Sequence, residues 1–410
     1  MSELDLIWEA EHPEEAGFCG GWVEPGDGRA FLSYGGEVKR KGALVWQKNH
    51  LESPAEIVAI SLAADEPLWS TELGKEIDLE PLVGDQVFRA LRPRVLGQTG
   101  SVLMVAVLFQ PDVWDLYALR GESGEVLWTA RVKEPFTHHI DFANQWIWTC
   151  GEDGAVSARK AETGESMGHW ALELDEFQCL ASPGNGFVYG EEARELLVLD
   201  PQSQQPKWRL DMEAVGIESI TDRVVVKDQK VYVLESGRVR YVKLGSGDEV
   251  FRKETHEGDQ LFLTEAAGRL FVQDVLGENL SPYNGETGDE IAEDSYSDLL
   301  YWGEFQERMV ATSVDGKVLL QAPGLDELKP LEGLEDWKIV ELTDWNGALL
   351  GMAIKGEESP SFHLVKLPFQ ETETVEKVGD LTVAEGASLV VKDGHIIVGT
   401  AAGFQVFTRQ

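Results

Sequence analysis

The sequence is poor in cysteine and contains no long apolar run. Its three cysteines, Cys19, Cys150 and Cys179, are far apart and form no CxxC pair, so we expect neither a disulfide framework nor a zinc site. No stretch reaches the roughly 18 apolar residues of a membrane span. Residues 1–9 lack the basic and apolar segments of a signal peptide. These features predict a cytoplasmic protein without membrane insertion.

Basic residues are also scarce, since 35 Lys and Arg stand against 73 Asp and Glu, giving a net charge of -38. The negative electrostatic field of such a protein opposes attraction to nucleic acids and anionic lipids. The short basic run Lys39, Arg40 and Lys41 is expected to lie in a solvated loop. The charge therefore predicts a protein partner with a basic surface, and no nucleic-acid partner.

What the sequence does contain is a repeat: an apolar strand, a small residue, a turn with Gly or a polar substitute, and then Trp. Its clearest copy spans residues 116–128. Repeats of roughly forty residues in a strand-rich chain are typical of β-propellers, whose units bury their faces against their neighbours. Further copies occupy residues 58–69, 197–208 and 240–251.

The residue at the Trp position marks the end of each four-stranded unit. After eight such markers, residues 388–391, 396–398 and 404–407 predict three more strands. The markers are Trp69, Trp128, Trp170, Trp208, Phe251 and positions near Ile291, Leu331 and Val375.

Closure of the ring requires a fourth strand for the last unit. Residues 4–8 predict a strand without a partner in its own part of the sequence. This strand would complete the last unit and leave no unpaired strand edge between the first and last units. We therefore expect residues 1–410 to form one all-β domain, a closed propeller of nine blades. Eight blades are the alternative, because the first two units are longer and propellers typically have four to eight blades.

The clearest repeat resembles the Trp-docking repeat of the PQQ-like propeller superfamily, Ala-x-Asp-x-x-Thr-Gly-x-x-x-Trp. Ala118, Gly124 and Trp128 match this pattern, Ser123 replaces Thr, and Arg120 departs from Asp. The resemblance implies that the Trp ring packs between adjacent blades. The residues to which it assigns this structural role are Trp8, Trp69, Trp128, Trp170, Trp208 and Phe251.

The superfamily has a catalytic branch and a branch without catalytic activity, here called the silent branch. Quinoprotein dehydrogenases use an adjacent cysteine pair, calcium ligands and a catalytic Asp, whereas this sequence has no Cys-Cys pair. The resemblance therefore implies the silent branch, which holds partner proteins and binds no cofactor. Exported lipoproteins of that branch carry a lipobox cysteine, but Cys19 has no apolar run before it.

The cluster of His138, His139 and Asp141 is the most suggestive candidate for chemistry. We place it on an innermost strand, where alternation sends the two histidines to opposite faces, so they cannot jointly bind one metal. The alternative is a structural role for both histidines. A channel site would need partners from other blades, such as Asp175, Glu176 or Asp344.

Trp302, Trp337 and Trp345 lie at predicted blade starts, where the repeat does not require an aromatic residue. They could anchor a peptide or flat ligand at a channel mouth, or they could fill the core. We see no GxSxG or HExxH motif. The sequence therefore favours a non-catalytic interaction scaffold. The alternative is an enzyme, or a small-ligand or metal-binding protein, with a site in the central channel.

Overall fold

The computed structural model consists of β-strands and turns, and the described residues contain no α-helix. Accordingly, no helix long and apolar enough to span a membrane occurs in this part of the chain. The structure describes residues 4–11, 18–24, 27–41, 48–64, 66–76, 90–110, 113–133, 140–141, 145–150, 155–171, 177–182, 185–190, 195–201, 205–211, 224–227, 230–235, 238–243, 246–254, 261–266, 269–274, 280–290, 299–306, 308–313, 315–321, 328–334, 336–345, 347–356, 361–368, 375–381, 388–392, 395–400 and 403–409.

The described residues form 37 strands, which confirms the expected all-β class. The first nineteen are β1 (Leu4–Glu11), β2 (Phe18–Glu24), β3 (Arg29–Tyr34), β4 (Gly36–Lys41), β5 (Lys48–Ser53), β6 (Ala55–Ser61), β7 (Pro67–Leu73), β8 (Ala90–Thr99), β9 (Val102–Gln110), β10 (Val113–Arg120), β11 (Val126–Lys133), β12 (Ile140–Asp141), β13 (Trp146–Cys150), β14 (Ala155–Lys160), β15 (Ser166–Ala171), β16 (Phe177–Ser182), β17 (Asn185–Gly190), β18 (Glu195–Leu199) and β19 (Pro206–Asp211).

The remaining strands are β20 (Val224–Lys227), β21 (Lys230–Glu235), β22 (Arg238–Lys243), β23 (Glu249–Glu254), β24 (Leu261–Ala266), β25 (Arg269–Asp274), β26 (Leu280–Asn284), β27 (Leu299–Phe305), β28 (Arg308–Ser313), β29 (Val318–Gln321), β30 (Leu328–Pro330), β31 (Trp337–Trp345), β32 (Ala348–Lys355), β33 (Ser361–Lys366), β34 (Glu376–Leu381), β35 (Ser388–Lys392), β36 (His395–Thr400) and β37 (Gly403–Arg409).

The chain divides into two compact units, and the first comprises His12–Asp211. It contains the four-stranded sheets β2-β3-β6-β7 and β16-β17-β18-β19. Its third sheet has ten strands in the order β15-β14-β13-β11-β10-β9-β8-β4-β5, with β12 beside β13. In this sheet β11 and β13 share only the pair Lys133 and Cys150, so β8–β11 and β12–β15 form two groups of consecutive strands.

The second unit comprises Met1–Glu11 and Met212–Gln410. Its antiparallel sheets are β20–β23, the three-stranded β24–β26, β27–β30, β31–β34 and β1-β37-β36-β35. In the last sheet, β1 pairs with β37 from Leu4 opposite Arg409 to Glu11 opposite Gly403. The expected pairing of the amino-terminal strand with the last predicted strand is therefore present.

The apolar cores join successive groups of strands within each unit. Phe31 and Ile57, from β3 and β6, share a buried cluster with Leu103 and Val105 of β9. In the other unit, Leu364 of β33 shares a buried cluster with residues of β36 and β37. Because strand side chains alternate, each sheet presents apolar rows to its neighbours, as the repeat predicts.

The loop expected around Lys39, Arg40 and Lys41 is wrong, because these residues lie in β4, which pairs with β5. Val38 is buried in the same cluster as Phe31, and Leu51 opposite it packs there as well. One apolar residue on each strand therefore anchors this hairpin on the core. In the sequence, the alternation of apolar and polar residues that is typical of a strand was hidden by the charged residues on either side of Val38.

Candidate functional site

Trp69 on β7 contacts the turn between β10 and β11. Its indole N–H donates a hydrogen bond to the carbonyl oxygen of Gly121 at 3.0 Å, and the Thr71 hydroxyl donates to the carbonyl of Gly124 at 2.8 Å. Gly124 has φ +71°, and a Cβ atom there would lie 2.5 Å from Cε3 of Trp69. The turn therefore requires glycine both for its backbone and for the close approach of the ring.

Trp128 on β11 makes the equivalent contact with the following turn. Its indole N–H donates to the carbonyl of Ala161 at 2.7 Å. Gly164 has φ +67°, and a Cβ atom there would lie 2.7 Å from Cγ of Trp128. Trp128 is half-buried, and its ring packs on the turn of the neighbouring strands.

Phe251 on β23 occupies the same position but has no N–H to donate. A Cβ atom on Gly288, whose φ is +69°, would lie 2.6 Å from Cδ2 of Phe251. The polar contact to this turn comes instead from Tyr232, whose hydroxyl donates to the carbonyl of Gly285 at 2.9 Å. Ring packing on a turn glycine is thus kept where the indole hydrogen bond is lost.

The remaining residues at the Trp position of the repeat differ from one another in their surroundings. Trp170 is 4% exposed and stacks on Trp148 with ring centroids 5.7 Å apart, in a cluster that includes Leu197 of β18. Trp208 on β19 lies opposite Val198 and is half-buried. Trp8 lies on β1, but its side chain is outside the described part of the chain.

The candidate channel residues are placed only in part. His138 and His139 lie outside the described residues, and Asp141 is described only by its backbone, which pairs in β12 with Trp146. Of the suggested partners, Asp344 accepts a hydrogen bond from the Gly347 N–H at 3.0 Å in a turn. No group of three or more His, Cys, Asp or Glu side chains among the described residues is arranged to hold a metal. The channel site stays a prediction.

The three candidate aromatic anchors differ in their surroundings. Trp345 is 2% exposed and packs in the core with Leu350 and Phe407, which favours the alternative that it fills the core. Its position was ambiguous because an aromatic residue on a strand can face either the core or solvent. Trp337 is half-buried, and the Lys355 ammonium lies 4.7 Å from its ring centroid. The Trp302 side chain is outside the described part.

A polar cluster that sequence reasoning missed lies on β33 and β34. The hydroxyl of Ser361 is 2.7 Å from Nε2 of His363, whose Nδ1 is 2.7 Å from Oδ1 of Asp380. The Lys377 ammonium lies 2.6 Å from the same oxygen. This hydrogen bond, together with that of His363, holds the pKa of Asp380 below its usual value. No local motif marks the cluster, because Asp380 reaches His363 only through the pairing of the two strands.

Two residues of the basic run on β4 are paired with carboxylates of their own hairpin. The Lys39 ammonium lies 3.3 Å from Glu37, and Lys41 is paired with Glu52. The hydrogen bond from Lys41 lowers the pKa of Glu52. The positive charges of Lys39 and Lys41 are therefore compensated within the hairpin.

Residues 38–193 match the family model described as PQQ_2, outer membrane protein assembly factor BamB. Residues 38–193 are thus similar to this family, and the match covers less than half of the chain. No curated protein matches the chain.

Solved structures resemble the chain at low sequence identity. A computationally designed protein, Ika8, is 16% identical, with a TM-score of 0.51 over 76% of this chain and 95% of that one. BamB from Moraxella catarrhalis is 12% identical, with a TM-score of 0.47 over 99% of this chain and 100% of that one. The C-terminal WD40 domain of Sif2 is 11% identical, with a TM-score of 0.48 over 90% and 99%. The likeness extends to the fold alone.

Backbone hydrogen bonds in these turns explain how Arg120 can stand where the resembling repeat has Asp. The backbone N–H of Arg120 donates to the Glu125 carbonyl at 2.8 Å, and the Gly124 N–H donates to the Arg120 carbonyl at 2.8 Å. Lys160 makes the same two backbone contacts, with Glu165 and Gly164. Since the backbone forms these bonds, the turn tolerates different side chains at this position.

Proposed function

We propose that the protein is a non-catalytic scaffold that binds partner proteins. The observation that carries this proposal is the contact of Trp128 with Ala161 and Gly164. Together with the same arrangement at Trp69 and Phe251, it supports a packing role for these three residues rather than a ligand-binding one. The matching family model is described as that of an assembly factor, which is a role based on protein contacts.

The proposed architecture is one closed propeller of nine four-stranded blades spanning residues 1–410. The grouping of strands supports nine, with β1 as the outer strand of the last blade. The three-stranded sheet β24–β26 has an additional bridge from Tyr283 to Glu290, where its fourth strand is expected. A density map that resolved eight blades would overturn this count.

The proposed partner is a protein with a basic surface, met in the cytoplasm. The net charge of -38 supports such a partner, because complementary charge accelerates association and like charge suppresses it. The separate cysteines support a reducing compartment. The same charge disfavours nucleic acids as partners.

The test is capture of the partner from the native host, followed by binding kinetics with the purified pair. The on-rate should fall as salt shortens the Debye length from about 10 Å at 0.1 M toward 3 Å at 1 M. Duplex DNA in a gel shift at low salt is the control and should not bind. Tight DNA binding, or a strongly acidic partner, would contradict the charge argument. A small metabolite that survives dialysis would favour the alternative, a ligand or metal-binding site or an enzyme in the central channel.

A further inference from the structure

Ser361 and His363 lie two residues apart on β33, so their side chains share one face of the sheet. Asp380 lies opposite His363 on β34, and Lys355 lies opposite Ser361 on β32. Directly opposed residues of antiparallel strands have neighbouring side chains. The strand register therefore gathers a hydroxyl, an imidazole, a carboxylate and an ammonium on one face.

The two hydrogen bonds at His363 form a chain from hydroxyl to carboxylate. With Nδ1–H donating to Asp380 at 2.7 Å, Nε2 is left as the acceptor of the Ser361 hydroxyl at 2.7 Å. A second acceptor of that hydroxyl, the Lys355 carbonyl, is more distant at 3.3 Å. A nucleophile bonded to a base that is oriented by a third group is the arrangement that activates serine.

We propose that Ser361 accepts an acyl group from small activated esters, with His363 as its general base and Asp380 as a positioning residue. This inference is independent of the scaffold role, because it rests on β33 and β34 and not on the Trp contacts. The proposal concerns a single transfer of an acyl group to Ser361 in each chain, without catalytic turnover of the ester.

Several contacts hold the imidazole in place. The ring of Trp337 meets that of His363 edge-on, at 87° with centroids 5.5 Å apart. Lys377 holds the carboxylate of Asp380 and lowers its pKa, so Asp380 is ionised at neutral pH and can accept the Nδ1–H of His363. The His363 side chain is 12% exposed, whereas Ser361 is exposed and accessible to an ester.

The transfer is balanced within this cluster and the ester. Oγ of Ser361 attacks the carbonyl carbon as its proton moves to Nε2 of His363, and a new C–O bond forms. The bond from that carbon to the leaving oxygen breaks, and the departing alkoxide or phenoxide takes the proton from His363. Lys355 is opposite Ser361 in register, and its ammonium lies 4.7 Å from the Trp337 ring centroid, so it places positive charge on the face of the sheet where the oxyanion develops.

A second Ser–His pair in the chain provides a matched control. Ser157 Oγ lies 2.9 Å from Nδ1 of His169, but Ser157 is only 5% exposed. Among the described residues, no carboxylate is bonded to His169 in the way that Asp380 is bonded to His363. Burial and the missing carboxylate should leave Ser157 unreactive.

The test is labelling of the full chain with a fluorophosphonate probe, with the adduct located by peptide mass spectrometry. The Ser361 oxygen then forms a bond to phosphorus as fluoride leaves. We expect one adduct, at Ser361, which is lost in Ser361→Ala and retained in Ser157→Ala. Labelling should slow at least about tenfold in His363→Gln. Melting curves of all variants should show that they remain folded.

The pH dependence of the labelling rate distinguishes a positioning role of Asp380 toward His363 from a purely structural one. The wild-type labelling rate should rise with pH, because only a neutral imidazole can accept the Ser361 proton. Asp380→Asn should move this rise to lower pH, because the carboxylate that stabilises the imidazolium is removed. An absence of labelling, equal labelling of Ser157, or the same rate in Ser361→Ala would overturn the proposal. An Asp380→Asn profile that coincides with the wild type would contradict the role of Asp380.

Discussion

The indole N–H of Trp69 donates to the carbonyl oxygen of Gly121, 52 residues further along the chain. The same oxygen also accepts a hydrogen bond from the Arg29 guanidinium. The contact of Trp128 with Ala161 repeats this relation across 33 residues. At Trp69, Trp128 and Phe251 a ring thus packs on the turn of the following strands, which couples neighbouring groups of strands.

Gly164 tests whether the turn must admit the Trp128 ring. Gly164→Ala should destabilise the protein by about 2 to 4 kcal/mol, because the φ of +67° strains an L-residue and Cβ would lie 2.7 Å from the ring. Gly333→Ala is the matched control, since Gly333 has φ +83° with open space around it, and it should cost only about 1 to 2 kcal/mol. Urea unfolding measures both. Equal losses would show that the ring contact contributes nothing.

Pairing of β1 with β37 should stabilise the last sheet. Removing residues 1–12 would expose the edge of β37 from Gly403 to Arg409, so the variant should melt at clearly lower temperature and aggregate. Removing residues 1–3, which precede β1, is the control and should have little effect. An unchanged melting curve after the longer deletion would count against a stabilising role for this pairing.

Glu341 should make stability depend on pH. Burial raises its pKa above the ordinary value of 4.5, although the Leu389 N–H donates a hydrogen bond to its carboxylate at 2.8 Å. Because the folded-state pKa is the higher one, the contribution of this group is fully favourable below pH 4.5 and is lost as pH rises through the folded-state pKa. Glu341→Gln should therefore gain stability relative to wild type at pH 7.

That gain should shrink toward pH 4, where the carboxyl group is protonated in both states. The measurement is the urea midpoint of both proteins between pH 4 and 8, with Glu332→Gln at an exposed turn as the control. A difference that does not change with pH would contradict the argument.

The sequence was sufficient for features that depend on repetition. Residues 404–407 required a partner strand, and residues 4–8 were unpaired, so their pairing could be predicted. The ends of several repeats were also readable, because the markers Trp69, Trp128 and Trp170 lie in β7, β11 and β15, the last strands of their groups. Such features are local, or they recur in several copies.

Features that depend on register could not be predicted in this way. The β4–β5 hairpin is fixed mainly by Val38 and Leu51, which are set among charged residues. The approach of Asp380 to His363 depends on pairing that includes an irregularity between Leu364 and Val365. A shift of the strand register by one residue would send these side chains to opposite faces of the sheet, and no local sequence motif indicates which register forms.

Replacement of Trp128 tests the structural role of the repeat most directly. Trp128→Ala should lower the free energy of unfolding by about 3 to 5 kcal/mol, because it removes a large ring packed on the next turn. Trp128→Phe, which retains a ring but loses the hydrogen bond to Ala161, should cost only about 1 kcal/mol. The decisive measurement is urea unfolding of both variants beside their binding to the captured partner. Trp128→Ala should lose stability, and its binding to the captured partner should persist wherever the variant remains folded. Intact stability with abolished binding would show instead that Trp128 is a binding residue.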